Sequence, residues 1–513
     1  MTDISNLGLE RMPSGVAGID TILGGGFMKG GLYIIQGTPG TGKTTLGNQI
    51  CFNHVADGSV ALYVTLLAEY HARMMQHLSA MAFFDVSRIP DQISYISGFN
   101  VLRQEGLPGL LAMVRREIIA RNVSILVLDG FATAQRTAPG DQALNEFVHE
   151  LQGAAIATDC TMFLLNSAKG GENFAPEHTM VDGILELSDE LFGWSAERAL
   201  QVVKFRGGGF LRGKHAFDIT GDGLVVYPRI EALLAKPSLP DHSGNEKVPS
   251  GVDLLDGGLP AASTTMVMGP SGVGKTTLGL HFLSRCSAGE PGLLFGFYET
   301  PPRIMAKARE VCRPLEPLLD SGAVEVLWLP PTDGLLDAYG GQLLDAVRRR
   351  GVRRLFIDGL GALQNAANEP GRMGHYLTTL MNELRVLGVT TVYTLEVPDI
   401  MGPHIRTPLG NLSSLAENLV LLRYIELRSR LYRLISILKV RDGSFNPLLH
   451  EFALTGHGLA IEPSNDSAEA IMAGFARLPE GLALPSLSPP GLASSGLASP
   501  GLAPLGQPSE PGS

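Results

Sequence analysis

Cysteine is scarce in this chain. Four stand in 513 residues, at Cys51, Cys160, Cys286 and Cys312, far apart and with no C-x-x-C pair. That excludes a disulfide-built scaffold and a cysteine zinc site, and it points to reduced core thiols in a cytosolic setting. Basic charge is also short: 40 Lys and Arg against 51 Asp and Glu give a formal net charge of -11. A dedicated nucleic-acid binder needs clustered Lys and Arg to meet the phosphate backbone, so the balance argues against one. No stretch interleaves basic and aromatic residues as a single-strand binding groove would. No uninterrupted apolar run is long enough to cross a bilayer, and MTDISNLGLERMPSG at the N-terminus lacks a basic-then-apolar signal pattern. The expectation is a cytoplasmic protein with no membrane association.

What the chain does have is repetition. MPSGVAGIDTILGGG (12–26) is answered by VPSGVDLLDGGL (248–259). A short apolar run follows each, LYIIQ at 32–36 and TMVMG at 265–269, and then a glycine-rich loop, GTPGTGKTT (37–45) and GPSGVGKTT (269–277). Later come ILVLD (125–129) and LFIDG (355–359), then QVVKFRGG (201–208) and SILKVRDG (436–443). The order of the pieces is the same in both halves. Duplication of one domain explains it, and 513 residues are too many for one typical core. Short apolar runs alternating with longer helical stretches predict strand–helix–strand units around a mostly parallel sheet. The fold class expected is α/β, with two tandem domains at 1–235 and 236–462, joined by a polar, proline-containing link at 236–247. A third region, 463–513, holds one short helix (467–478) and a Pro/Gly/Ser-rich tail expected to be disordered.

Both glycine-rich loops satisfy G-x-x-x-x-G-K-[ST]. The spacing serves phosphate. Glycines let the backbone curl so that its N–H groups face an anion. The following helix adds its positive end. The lysine neutralises terminal phosphate oxygens, and the first hydroxyl holds Mg²⁺. The phosphate-binding residues are therefore Gly37, Gly40, Thr41, Gly42, Lys43, Thr44 and Thr45 in the first copy. In the second they are Gly269, Gly272, Val273, Gly274, Lys275, Thr276 and Thr277. Asp129 and Asp358 close buried strands at matching places and complete a Mg²⁺ site with Thr44 and Thr276. ATP and Mg²⁺ are the cofactors expected.

In combination, PSGV-x-x-x-D, two P-loop domains and two K-x-R segments resemble the KaiC family, a branch of the RecA-like ATPases known from circadian clocks. The resemblance covers about residues 10–460. It implies tandem RecA-like domains, a homohexameric double ring, and nucleotide at subunit boundaries. It also implies that Lys204, Arg206, Lys439 and Arg441 reach a neighbour's phosphates, with Arg206 and Arg441 meeting charge in the transition state. In the family, two adjacent glutamates after the P-loop helix activate the nucleophile. Here the first copy has Leu67 and Ala68, with Glu69 one place on and, on an extended strand, facing the other way. The second copy has Tyr298 and Glu299. The first pocket is therefore expected to be slow or structural; a rival reading keeps hydrolysis there through Glu69, which requires the backbone to turn at that point. The second is expected to do the chemistry through Glu299 and Lys275, with Lys43 the equivalent lysine of the first. NLSSLAENLVLLRYIE (411–426) resembles the family's autophosphorylated segment, which makes Ser413 and Ser414 candidate phosphosites, although Pro408 replaces the upstream threonine. A ring scaffold with little turnover, or a RecA-like DNA-dependent ATPase, are the alternatives. A regulatory protein partner is left unidentified.

Overall fold

The computed structural model describes residues 10–461, apart from 57, 68–70, 168–175, 236–245, 252–256, 333, 370, 399–415, 428–429 and 442–443. Most of the 236–247 link, the region from 462 to 513, and the candidates Glu69, Ser413 and Ser414 lie outside the described residues, as do Ala68 and Pro408.

Each half carries one nine-stranded sheet. In the first half the strands are β1 (Leu32–Gly37), β2 (Ala61–Thr65), β3 (Ile93–Ser97), β4 (Ile125–Asp129), β5 (Thr161–Asn166), β6 (Gly183–Phe192), β7 (Ser195–Phe205), β8 (Lys214–Thr220) and β9 (Gly223–Tyr227). In the second they are β10 (Thr264–Gly269), β11 (Gly292–Gly296), β12 (Val324–Trp328), β13 (Arg354–Asp358), β14 (Thr390–Glu396), β15 (Asn418–Leu427), β16 (Arg430–Lys439), β17 (His450–Thr455) and β18 (Gly458–Ile461). The spatial order is β9-β8-β7-β6-β1-β5-β4-β2-β3 in the first sheet and β18-β17-β16-β15-β10-β14-β13-β11-β12 in the second. The two orders match strand for strand, as the duplicated sequence predicts. The expected pair of RecA-like α/β domains is the fold observed.

The pairings explain the sequence texture. β3, β2, β4, β5, β1 and β6 run parallel, and β7 to β9 turn back antiparallel. Parallel strands are covered on both faces, so LYIIQG, ALYVT and ILVLD read as nearly unbroken apolar runs. Tyr33, Tyr63, Leu46 and Ile50 fill one face of the first sheet, and Leu62, Val64, Leu66 and Phe131 fill the other. Successive side chains along β2 therefore alternate between a face under the P-loop helix and the opposite face. All four cysteines are buried and unpaired. Burial pushes the Cys160 and Cys286 thiols up to about 12, far from a reactive thiolate.

The two domains are joined by charge. The short helix Ile230–Leu233, just past β9, lies against the helices Leu336–Arg350 and Arg372–Val386 of the second domain. The Arg372 guanidinium donates to both carboxylate oxygens of Glu231, each at 2.8 Å, and to Asp337 Oδ1 at 2.6 Å. The Ile230 N–H also donates to Asp337 Oδ1, at 3.2 Å. Asp337 is 2% exposed and its Oδ2 has no partner. Burial pushes the Asp337 carboxyl above its usual range while Arg372 opposes the shift. Removing one member of a buried ion cluster strands the others and costs about 3–5 kcal/mol. Arg372→Met is therefore expected to shift the urea midpoint of the second domain down by a corresponding amount. Glu231→Gln, which leaves the Arg372–Asp337 bond in place, should cost less. Equal midpoints for Arg372→Met and the natural chain would show that this contact holds nothing together.

Candidate nucleotide sites

The P-loops sit where the sheet order switches direction, beyond the carboxyl ends of β1 and β10. That is the crevice in which open α/β sheets bind ligands. Gly42 and Gly274 cap the P-loop helices Lys43–Val55 and Lys275–Leu283 with φ of 94° and 119°. Both values are left-handed, which glycine adopts without strain. An added Cβ on Gly40 would meet nothing within 4 Å, so at that position it is the left-handed φ of 91° that favours glycine.

The lysines show what the loops are shaped to hold. Lys43 Nζ donates to the carbonyls of Gly37 and Thr38, both at 2.8 Å, and Lys275 Nζ to those of Gly269 and Pro270, also at 2.8 Å. Each ammonium is curled over its own loop, at the centre of the cradle. Burial holds both lysines below their ordinary pKa, with nearby carboxylates pulling the other way. An anion would reverse that cost. Thr44 Oγ1 donates to Asp129 Oδ2 at 3.0 Å, and Thr276 Oγ1 to Asp358 Oδ2 at 2.9 Å. Burial raises both aspartates above the usual carboxylate range, while the threonine bonds lower them. Among the described residues no three His, Cys, Asp or Glu gather as a metal cluster. A hydroxyl and a carboxylate beside an anion cradle form a donor set suited to a hard cation that is also held by phosphate oxygens.

Strand register aligns the two copies residue by residue. Thr65 pairs with Asp129, and Gly296 with Asp358. Leu67 and Tyr298 occupy one position, each against the glycine after the aspartate, Gly130 or Gly359. Tyr298 is 58% exposed and ends in a phenol, so neither copy has a carboxylate there. Glu299 is described, half-buried, and in contact with Lys307 one helical stretch on, in an ion pair. Trp328 Nε1 donates to the Phe297 carbonyl at 2.9 Å and so pins the strand end that carries Glu299.

Several site residues were not singled out from sequence. In the first copy, Tyr63 Oη donates to Asp129 Oδ2 at 2.8 Å. In the second, Thr394 Oγ1 donates to Asp358 Oδ1 at 2.9 Å. Each aspartate thus has a second hydroxyl, supplied by different neighbouring strands. Buried Gln36 Oε1 and Asn166 Oδ1, register partners at the carboxyl ends of β1 and β5, have no protein partner. Glu396 Oε2 lies 4.0 Å from Lys275 Nζ.

The K-x-R residues lie at the ends of β7 and β16, bonded within their own domains. Lys204 Nζ donates to the His178 and Thr179 carbonyls at 2.9 and 2.8 Å, and Arg206 to the Thr179 carbonyl at 2.9 Å. Lys439 Nζ donates to the Ala416 carbonyl at 3.0 Å, and Arg441 lies 4.0 Å from Glu417. None of the four contacts its own P-loop in these bonds.

The description "ATPase: KaiC" matches residues 12–231 and again 248–466. The chain belongs to the KaiC ATPase family. It is similar to the circadian clock oscillator protein KaiC of Picosynechococcus sp., with 23% identity over 489 residues, 91% of this chain and 92% of that protein. The likeness to the KaiC of Parathermosynechococcus lividus is 24% over 495 residues, 92% and 89% of the two chains. For Nostoc sp. it is 24% over 489 residues, 92% of each. The two matched segments coincide with the two sheets and their P-loops. Family membership makes the chain a KaiC-type ATPase with ATP as its nucleotide. Among the described residues no helix is long and apolar enough to cross a membrane.

Proposed function

We propose that this KaiC-family ATPase forms a homohexameric ring, binds ATP with Mg²⁺ in both pockets, and hydrolyses it mainly in the second. The observation that carries the division is the unequal strand end: Leu67 in one copy, Glu299 next to Tyr298 in the other. Glu299 orients and deprotonates the nucleophile, Lys275 meets the terminal phosphate, and Thr276 and Asp358 hold Mg²⁺. Bound Mg²⁺ supplies charge neutralisation for the leaving oxygens. In the first pocket, Lys43, Thr44 and Asp129 bind in the same way, and the nucleotide serves assembly. Lys204, Arg206, Lys439 and Arg441 stand at strand ends, held by carbonyls or near a carboxylate that a phosphate can replace. They complete the pockets of the adjoining subunit. A regulatory role of the kind the relatives' names carry fits a slow, ring-forming ATPase with a regulatory protein partner.

A hydroxyl held in line with the terminal phosphate can take the place of water. On that chemistry Ser413 and Ser414 accept phosphate from a neighbour's second pocket. The full chain incubated with ATP and Mg²⁺ is expected to release phosphate, run at six times the subunit mass, and show phosphate on the 411–426 peptide by mass spectrometry. Phosphate release with an unmodified peptide would remove the kinase step and leave the ATPase. A stable hexamer with no release would favour the scaffold reading.

A further inference from the structure

The first pocket has lost both carboxylates but has gained a polar network that the second pocket lacks. Thr65 Oγ1 lies 2.8 Å from His71 Nε2. The Tyr95 ring lies against the imidazole at 5.9 Å, and Tyr95 Oη donates to Asn48 Oδ1 at 2.8 Å. Asn48 Nδ2 in turn donates to the Thr44 carbonyl at 2.8 Å. At the positions matched by register and loop alignment, the second copy has Gly296 for Thr65, Leu294 for Tyr63, Val326 for Tyr95, Leu280 for Asn48 and Pro302 for His71. Five polar side chains of the first pocket thus correspond to five residues of the second whose side chains can neither donate nor accept a hydrogen bond.

Its direction is set by the strand. Tyr63 reaches Asp129 Oδ2, so its side chain lies on the P-loop face of β2. Thr65, two residues on, points to that same face. It is the Cα partner of Asp129 and is 7% exposed. Its hydroxyl therefore stands on the nucleotide side of the strand end, two residues before Leu67. His71 opens the helix His71–Leu78 and is partly exposed, with a route to solvent.

We propose that Thr65 and His71 form the proton relay of the first pocket, in place of the missing carboxylates. The proposal rests on that pocket taking ATP. The water oxygen forms a bond to the γ-phosphorus as the bond from that phosphorus to the β–γ bridging oxygen breaks, and ADP leaves with the bridging oxygen. The water's proton passes to Thr65 Oγ1 while the threonine's own proton passes to His71 Nε2, the imidazole entering with its proton on Nδ1. The imidazolium then releases a proton to solvent. The products are ADP, phosphate and one proton.

Burial holds the His71 imidazole below its usual pKa, so it is neutral and able to accept near pH 7. The titratable groups on the surrounding elements are Tyr63 on β2, Tyr95 on β3, Asp129 on β4 and Lys43 on the P-loop helix, with Arg73 and His77 on its own helix. Burial alone, and none of these charges, sets the direction of the shift.

The test uses the full chain carrying Lys275→Ala, so that only the first pocket works. Phosphate release is followed from pH 5.5 to 8.5, and binding of a fluorescent ATP analogue is measured alongside. The expected kcat is low, rises through an imidazole titration and then levels. His71→Gln and Thr65→Val are each expected to lower that kcat by about 10²-fold, with KM and analogue affinity unchanged, and to flatten the pH profile; Thr65→Ser should keep both. Parental kcat and profile in His71→Gln would overturn the relay. So would an absence of phosphate release from a chain that still binds the analogue. Loss of analogue binding in the Lys275→Ala chain itself would instead bring down the ATP reading of the first pocket, and the relay with it.

Discussion

Lys275→Ala is expected to reduce ATP turnover about 10²-fold, to the floor set by the first pocket, whereas Lys43→Ala keeps most turnover per assembled subunit. The two lysines are near copies in geometry. Lys43 is buried and Lys275 nearly so, both are curled onto two loop carbonyls at 2.8 Å, and both are desolvated. Their unequal effect cannot come from the cradle. It comes from the pair at the next strand end, Leu67 and Ala68 in the first copy and Tyr298 and Glu299 in the second, of which Glu299 alone carries a carboxylate. Lys43→Ala should act on assembly, with fewer hexamers at a given ATP concentration by sedimentation velocity. If Lys43→Ala removes most turnover while hexamers persist, the division of labour is reversed.

Glu299→Gln is the second large effect. The amide keeps the size of the carboxylate and cannot take a proton, so kcat should fall by about 10²–10⁴-fold with KM nearly unchanged. The Lys307 partner does not complicate stability much, because both side chains of that pair are about one-third exposed, at 32% each, and such pairs contribute little. Full kcat in Glu299→Gln would move the base elsewhere, and Glu396 beside Lys275 would be the next carboxylate to vary.

The two P-loops, the duplicated frame and the tandem α/β fold were legible because short-range chemistry writes them. A phosphate cradle needs fixed spacing, and a buried parallel strand needs an apolar run. The approach of Thr44 to Asp129 and of Thr276 to Asp358 belongs to the same local logic, since each aspartate ends a strand beside its loop. The second hydroxyl on each aspartate was not legible. Tyr63 and Thr394 come from different strands, and only the register of β2 on β4, or β14 on β13, brings them in. The Thr65–His71 pair depends on a helix folding back over its own strand. The cluster of Glu231, Asp337 and Arg372 joins Glu231 to two residues more than 100 positions further along the chain. No periodicity or spacing announces such contacts, because they exist only once two finished surfaces meet.

The most direct test is to read the nucleotide in each pocket. The natural chain, incubated with ATP and Mg²⁺ through many turnovers and then imaged at a resolution that distinguishes ATP from ADP, is predicted to hold ATP behind Lys43 and ADP behind Lys275. ADP behind Lys43 with ATP intact behind Lys275 would contradict the account.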